Sequence, residues 1–225
     1  MTSTTQEFVA EIDDAVSGSN PANEPLLAGL REGQLSRDQL RTFAAQYYHL
    51  VDALPRFVST VHSVSPNAKV RRTLLNVLMP LESTPPSISD LWLQTCAALG
   101  LFSDTVRASE PTPATAACLG DFEYLCRSGS AQGVAALYAW MSRMPAVYRV
   151  EQAALAEHYD LASGPGVQFF EAMQFQATSH ARALRTALMV ELDVYPEAGP
   201  AAMDAAVSAI TAVKGLYAGA LSGVR

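Results

Sequence analysis

Two residues of this chain stand where chemistry is plausible. Glu82 closes a helical stretch immediately before the break Ser83-Thr84-Pro85-Pro86. A carboxylate there opposes the helix dipole, so it needs solvent or a specific partner. His180 shares a helix face with Met173, Ala177 and Leu184. On so apolar a face a histidine is either a buried group satisfied by a carbonyl or carboxylate, or a pocket-lining acid, base or hydrogen-bond donor. Gln46-Tyr47-Tyr48-His49 puts two phenols and two polar groups on successive helical positions, of which at most half face inward together. Tyr138, Trp140 and Tyr148 flank Pro145, whose missing N–H disturbs its helix and frees backbone groups of the kind that border cavities.

Other chemistry is missing. There is no P-loop, dinucleotide glycine fingerprint, GxSxG elbow or HExxH. No two of His49, His62, His158 and His180 are three or four apart, so no helix offers a ready pair of imidazole ligands. Cys96, Cys118 and Cys126 are odd in number and form no CxxC, which reads as buried small hydrophobes in a reducing cytosol rather than a disulfide framework.

The elements that must position these residues are helical throughout. Phe8, Ile12 and Val16 share one face of residues 4–17, and a short helix carrying Leu26, Leu27 and Leu30 stops at Gly33. Ser36 and Gln39 form a capping-box signal for a long helix in which Pro55 produces a kink rather than an end, since Phe57, Val58 and Val61 keep the period. Helices follow over 67–81, from Ser87 to about Leu99, and over about 113–127, 131–159, 167–194 and 198–220. With no strand-type alternation, repeat or low-complexity linker, the expectation is one all-α domain spanning 1–225, with seven or eight helices.

Composition narrows the partners. The net charge is −7 without a basic run, which argues against nucleic acid and anionic membranes. Asp204 and Lys214 make the apolar segment from Ala201 to Gly223 a buried helix rather than a membrane span, and the N-terminus has no signal-peptide pattern, so a cytoplasmic protein is expected. Hydrophobic residues are 49% and charged residues 16% of the 225, which points to a buried subunit interface.

Gln46–Ser63 (QYYHLVDALPRFVSTVHS), LLNVLMPLES, SDLWLQTCAALGL, ALYAWMSRMP and FFEAMQFQATSH, in this order and spacing, resemble the heme-oxygenase-like diiron oxidases and oxygenases, from about residue 36 to 190. Thiaminase II and pyrroloquinoline quinone synthase share that fold. The resemblance implies a helical bundle around a central pocket, usually in a homodimer, with two irons held by six side chains. Glu82 matches the first ligand and His180 the last. The other four positions fall on Ile88 or Ser89, Met141, Met173 and Ala177. Two remaining ligands cannot hold two irons, so no diiron cofactor and no metal is expected. Thiaminase II needs a cysteine in the helix matching ALYAWMS, where Ala139 stands here. Pyrroloquinoline quinone synthase shows that the fold can work without metal.

The expectation is therefore a metal-independent enzyme that tailors a small, largely apolar molecule by cyclisation, elimination or isomerisation. Glu82 and His180 would be its acid–base pair, and Gln46, Tyr47, Tyr48, Tyr138, Met141, Met173, Gln174 and Ala177 would line the pocket. The alternative is a non-catalytic binding protein or dimer partner that kept the scaffold. The centre of the bundle discriminates: large side chains filling it favour the scaffold, an open cavity with Glu82 facing His180 favours the enzyme. A third reading relocates a metal to Glu123, Glu151, Glu157, His158 and Glu171, which are otherwise solvated helix faces.

Overall fold

The computed structural model describes residues 5–18, 21–82 and 85–221. Residues 1–4, Asn20, Ser83 and Thr84 of the two expected breaks, and the end of the apolar C-terminal segment lie outside the described residues. Ten α-helices follow one another without a strand among the described residues: α1 Thr5–Ser17, α2 Pro25–Arg31, α3 Arg37–Val64, α4 Ala68–Glu82, α5 Ile88–Ala98, α6 Ser103–Arg107, α7 Pro113–Arg127, α8 Ser130–His158, α9 Gln168–Val194 and α10 Gly199–Gly219. Eight have eleven residues or more. The short α2 carries Leu26, Leu27 and Leu30 as expected, whereas the five-residue α6 is too short for a periodic signal.

Local chemistry sets the helix ends. Ser36 Oγ accepts from Gln39 N at 3.1 Å, and Gln39 Oε1 accepts from Ser36 N at 2.9 Å, so α3 opens on the capping box read in the sequence. Ser87 and Asp90 repeat the device at α5. Pro55 and Pro145 lie inside α3 and α8 without ending them.

Helices α8 and α9 form the long hairpin at the centre. Gln174 donates to Gln152 Oε1 near the turn at 2.6 Å, and Ser130 donates to Glu191 at the far end at 2.5 Å, so the two run antiparallel. Helix α10 lies along α8, and α3 crosses the other side. Gly133 permits that crossing, since a Cβ there would sit 2.5 Å from Val61 Cγ2 and 3.3 Å from Cys126 Cα. One continuous apolar cluster draws on all ten helices. No described helix is long and apolar enough to cross a membrane.

Candidate functional site

The most unusual chemistry lies in the middle of this cluster, on Glu151 of α8. Its stripe of α8 carries Val147, Tyr148, Ala154 and Leu155, all buried, and the i, i+3 spacing brings Tyr148 and Glu151 to the same inward face. Glu151 is 1% exposed. Its Oε1 accepts from the Tyr217 hydroxyl of α10 at 3.3 Å, and its Oε2 has no partner among the described residues. Burial, opposed by the Tyr217 hydrogen bond, raises the carboxyl from 4.5 to about 8. Glu151 is therefore predominantly a neutral acid at pH 7.

Three phenols surround this acid. Tyr47 of α3 and Tyr148 share a hydrogen bond at 3.2 Å. The Tyr47 and Tyr217 rings lie 5.9 Å apart. Burial holds all three phenols above the ordinary tyrosine range, so they stay protonated. Trp92 closes the set at 4.9 Å from Tyr47, with its N–H given to Ala44 O at 2.8 Å. Phe169 packs edge-on to both Trp92 at 4.7 Å and Tyr148 at 5.3 Å. Large side chains thus occupy the centre of the bundle.

The two residues of the expected acid–base pair lie in different environments. Glu82 is exposed at the end of α4 and lines an outer groove with Arg56, Glu123 and Arg127. His180 is buried at 5% exposure, its Nδ1 without a partner among the described residues. Burial lowers its pKa from 6.5 to about 4, so the ring is neutral. Glu151, expected on a solvated face with Glu123, Glu157, His158 and Glu171, is instead the most deeply buried carboxyl of that group.

Several of the expected pocket residues are engaged in structural contacts. Tyr47 joins the central cluster. Gln46 is a strap, donating to Glu110 O at 3.0 Å and accepting from Thr112 N at 2.7 Å ahead of α7. Tyr48 donates to Asp52 at 3.4 Å at the outer side of α3. Tyr138 donates to Asp13 of α1, where Arg185 stands 3.8 Å from the same carboxylate. Gln174 is engaged with Gln152. Met141, Met173 and Ala177 are fully buried. All three cysteines are buried and unpaired, their thiols pushed up to about 12 by burial. Among the described residues no group of three or more His, Cys, Asp or Glu is placed to hold a metal ion.

Reading the motifs alone misses Glu151, Tyr148 and Tyr217 as a unit. The detectable signal was a carboxylate at an apolar position of the α8 stripe. Its phenolic partner is 66 residues away on another helix.

An all-α bundle with a buried carboxyl–phenol centre is the class this geometry defines. Its fold is that of a CADD-like protein of unknown function from Nostoc punctiforme, with a TM-score of 0.80 at 18% identity over 96% of each chain. A domain of unknown function with a heme oxygenase-like fold from Shewanella denitrificans gives a TM-score of 0.61 at 16% identity, over 97% of this chain and 94% of that one. The chain belongs to the TENA/THI-4/PQQC family, whose sequence model matches residues 19–205. Among curated relatives, the 4-aminobenzoate synthase of Chlamydia muridarum is 31% identical over 176 residues, 78% of this chain and 75% of that protein. The 4-aminobenzoate synthase of Nitrosomonas europaea is 26% identical over 189 residues, 80% and 77% of the two chains.

Proposed function

We propose that this chain is a metal-independent biosynthetic enzyme that tailors a small, largely apolar molecule by proton transfer, with Glu151 as its acid–base group. The observation that carries the reading is the buried Glu151 carboxyl. One of its oxygens is unpartnered, and three phenols surround it. A carboxyl held at about 8 can give or take a proton near neutral pH, which an ordinary glutamate does poorly. Tyr217 orients it, and the Tyr47–Tyr148 pair offers further hydrogen-bonding hydroxyls. The surrounding rings keep bulk water away from the proton. The biosynthetic class is supported by the family and by the relatives named 4-aminobenzoate synthase.

The positions that a diiron site of this fold would use do not fit two irons. Met141 and Met173 offer thioethers, Ala177 a methyl group, and Glu82 is exposed. Thioethers suit soft ions, whereas oxygen-activating iron takes carboxylate and imidazole ligands. No step is therefore assigned to a metal.

The filled centre favours a second reading, a protein that binds a small molecule or supports a partner without turning anything over. One experiment separates the two. Purified protein stripped with a chelator is incubated with a small-molecule extract of its source cells, and mass spectrometry follows each feature consumed. Consumption by the stripped wild type but not by Glu151→Gln is the expected result. Activity that needs added Fe(II), or that survives in Glu151→Gln, refutes the assignment. No consumption by either protein favours the binding reading.

A further inference from the structure

A groove of about 490 Å³ runs between the outer sides of α7 and α10. Its volume falls within the range of small-molecule sites, which begins on the order of 300 Å³. Helix α7 supplies Ala117, Cys118 and Leu125, and α10 supplies Val207, Ala212 and Gly215. The wall is therefore mainly apolar and built from small side chains. Gly215 lies inside α10, where glycine weakens the helix. Nothing stands within 4 Å of the place its Cβ would take, so no neighbour in the chain requires the missing side chain. Its absence instead widens the groove.

The polar groups of the groove share one sign. Asp121 is the single charged residue that lines it, and it makes no ion pair among the described residues. Burial, and then the Asp121 charge, push the Cys118 thiol at the groove floor up to about 12, so the carboxylate lies close to that floor. Each of the two helices carries one basic residue, and both are engaged elsewhere. Arg127 of α7 holds Glu123 at 3.0 Å, and Lys214 of α10 holds Glu24 at 3.4 Å. Tyr124 stands three residues after Asp121, on the same side of α7, with 72% of its surface exposed. An exposed aromatic face attracts a cation through its quadrupole. Ser208 on the opposite wall adds a hydroxyl that can accept from an N–H donor. The chain as a whole carries a net charge of −7, which disfavours an anion and favours a cation at such a place.

We infer that this groove binds a small organic cation, an ammonium head on an apolar body. The head lies between the Asp121 carboxylate and the Tyr124 ring, and the body lies along α10 over Gly215. The site shares no residue with the Glu151 cluster and does not depend on the proton-transfer reading.

The probe is phenethylamine at pH 7, compared with the uncharged 2-phenylethanol and the anionic 3-phenylpropanoate, in ligand-observed NMR titrations of the full chain. Saturable binding of the amine is expected, with the alcohol weaker by about threefold and the acid weaker still. Added sodium chloride should shrink the difference between amine and alcohol, because the carboxylate is exposed. Asp121→Asn should bring the amine close to the alcohol, and Tyr124→Ala should weaken the amine more than the alcohol. Gly215→Leu fills the groove and should weaken all binding by about tenfold. Circular dichroism confirms the fold of each variant, and Val207→Trp replaces Gly215→Leu if that chain does not fold. No saturable binding by the wild type overturns the proposal. So does an alcohol or acid that binds as well as the amine, an amine preference unchanged in Asp121→Asn, or undiminished binding in Gly215→Leu. A second copy of the chain is the competing occupant, and sedimentation velocity tests it. A wild-type oligomer that Gly215→Leu breaks gives the face to that copy and overturns the proposal, whereas equal sedimentation of the two proteins supports a groove open to the small cation.

Discussion

Tyr217 donates a hydrogen bond to Glu151 across 3.3 Å in the middle of the bundle, and the other carboxyl oxygen receives nothing from the described residues. This half-satisfied acid joins α8 to α10 while remaining available to a further partner. Its behaviour with pH follows from that position.

Glu151 should make the fold less stable as pH rises. Its folded pKa of about 8 lies above the ordinary 4.5, so the unfolded chain loses this proton first. The contribution is fully present below about pH 4.5, declines between 4.5 and 8, and is flat above. Glu151→Gln keeps an acceptor for Tyr217 and removes the titration. In urea unfolding the variant should match the wild type near pH 4.5 and exceed it by several kcal/mol, in order of magnitude, at pH 8. Equal slopes of stability against pH in both proteins would contradict the burial of this group as an acid.

His180 works in the opposite sense. Its folded pKa of about 4 lies below the ordinary 6.5, so stability is complete above pH 6.5 and falls as pH drops from 6.5 to 4. His180→Phe conserves most of the volume and cannot protonate. Thermal melts at pH 7 and pH 4.5 should show a smaller acid-induced drop in Tm for the variant than for the wild type.

Gln46 should prove structural. It is 6% exposed and ties residues 110–112 to α3 through Glu110 O and Thr112 N. Gln46→Ala leaves the part-buried Glu110 carbonyl and Thr112 N–H without their side-chain partner, at a cost of about 1 kcal/mol. Chemical unfolding gives the size, and hydrogen exchange should show the start of α7 losing protection before the rest of the helix.

The contact of α8 with α3 at Gly133 should tolerate no methyl group. A Cβ there would stand 2.5 Å from Val61 Cγ2, so Gly133→Ala forces the helices apart and destabilises by about 1–3 kcal/mol despite the better helix propensity of alanine. Val61→Ala alone leaves a void. The double variant should recover part of the loss, visible as a favourable coupling energy in a double-mutant cycle.

Much of the fold was legible from the chain itself. The capping box at Ser36, the helix start at Ser87, the stop at Gly33 and the passage of α3 through Pro55 are set by neighbours within four residues, so local sequence determines them. The inward faces of α3, α8 and α9 follow from the 3.6-residue period for the same reason. Met141, Met173 and Ala177, read in the sequence as pocket-lining, are fully buried in the core.

The site was another matter, because its parts are placed by contacts between distant segments. Glu82 and His180 looked like partners because a family pattern aligned them, yet Glu82 is exposed at the end of α4 and His180 is buried in the core. Glu151 looked solvated because a carboxylate usually is, and nothing local to α8 announces that α10 will cover it with Tyr217. By itself the sequence determined the helices, their ends and their apolar stripes, since these rest on short-range backbone chemistry and periodicity. Only the tertiary structure decided which polar groups lose water. That depends on which stripe packs against which, and desolvation is what turns an ordinary glutamate into an acid at neutral pH.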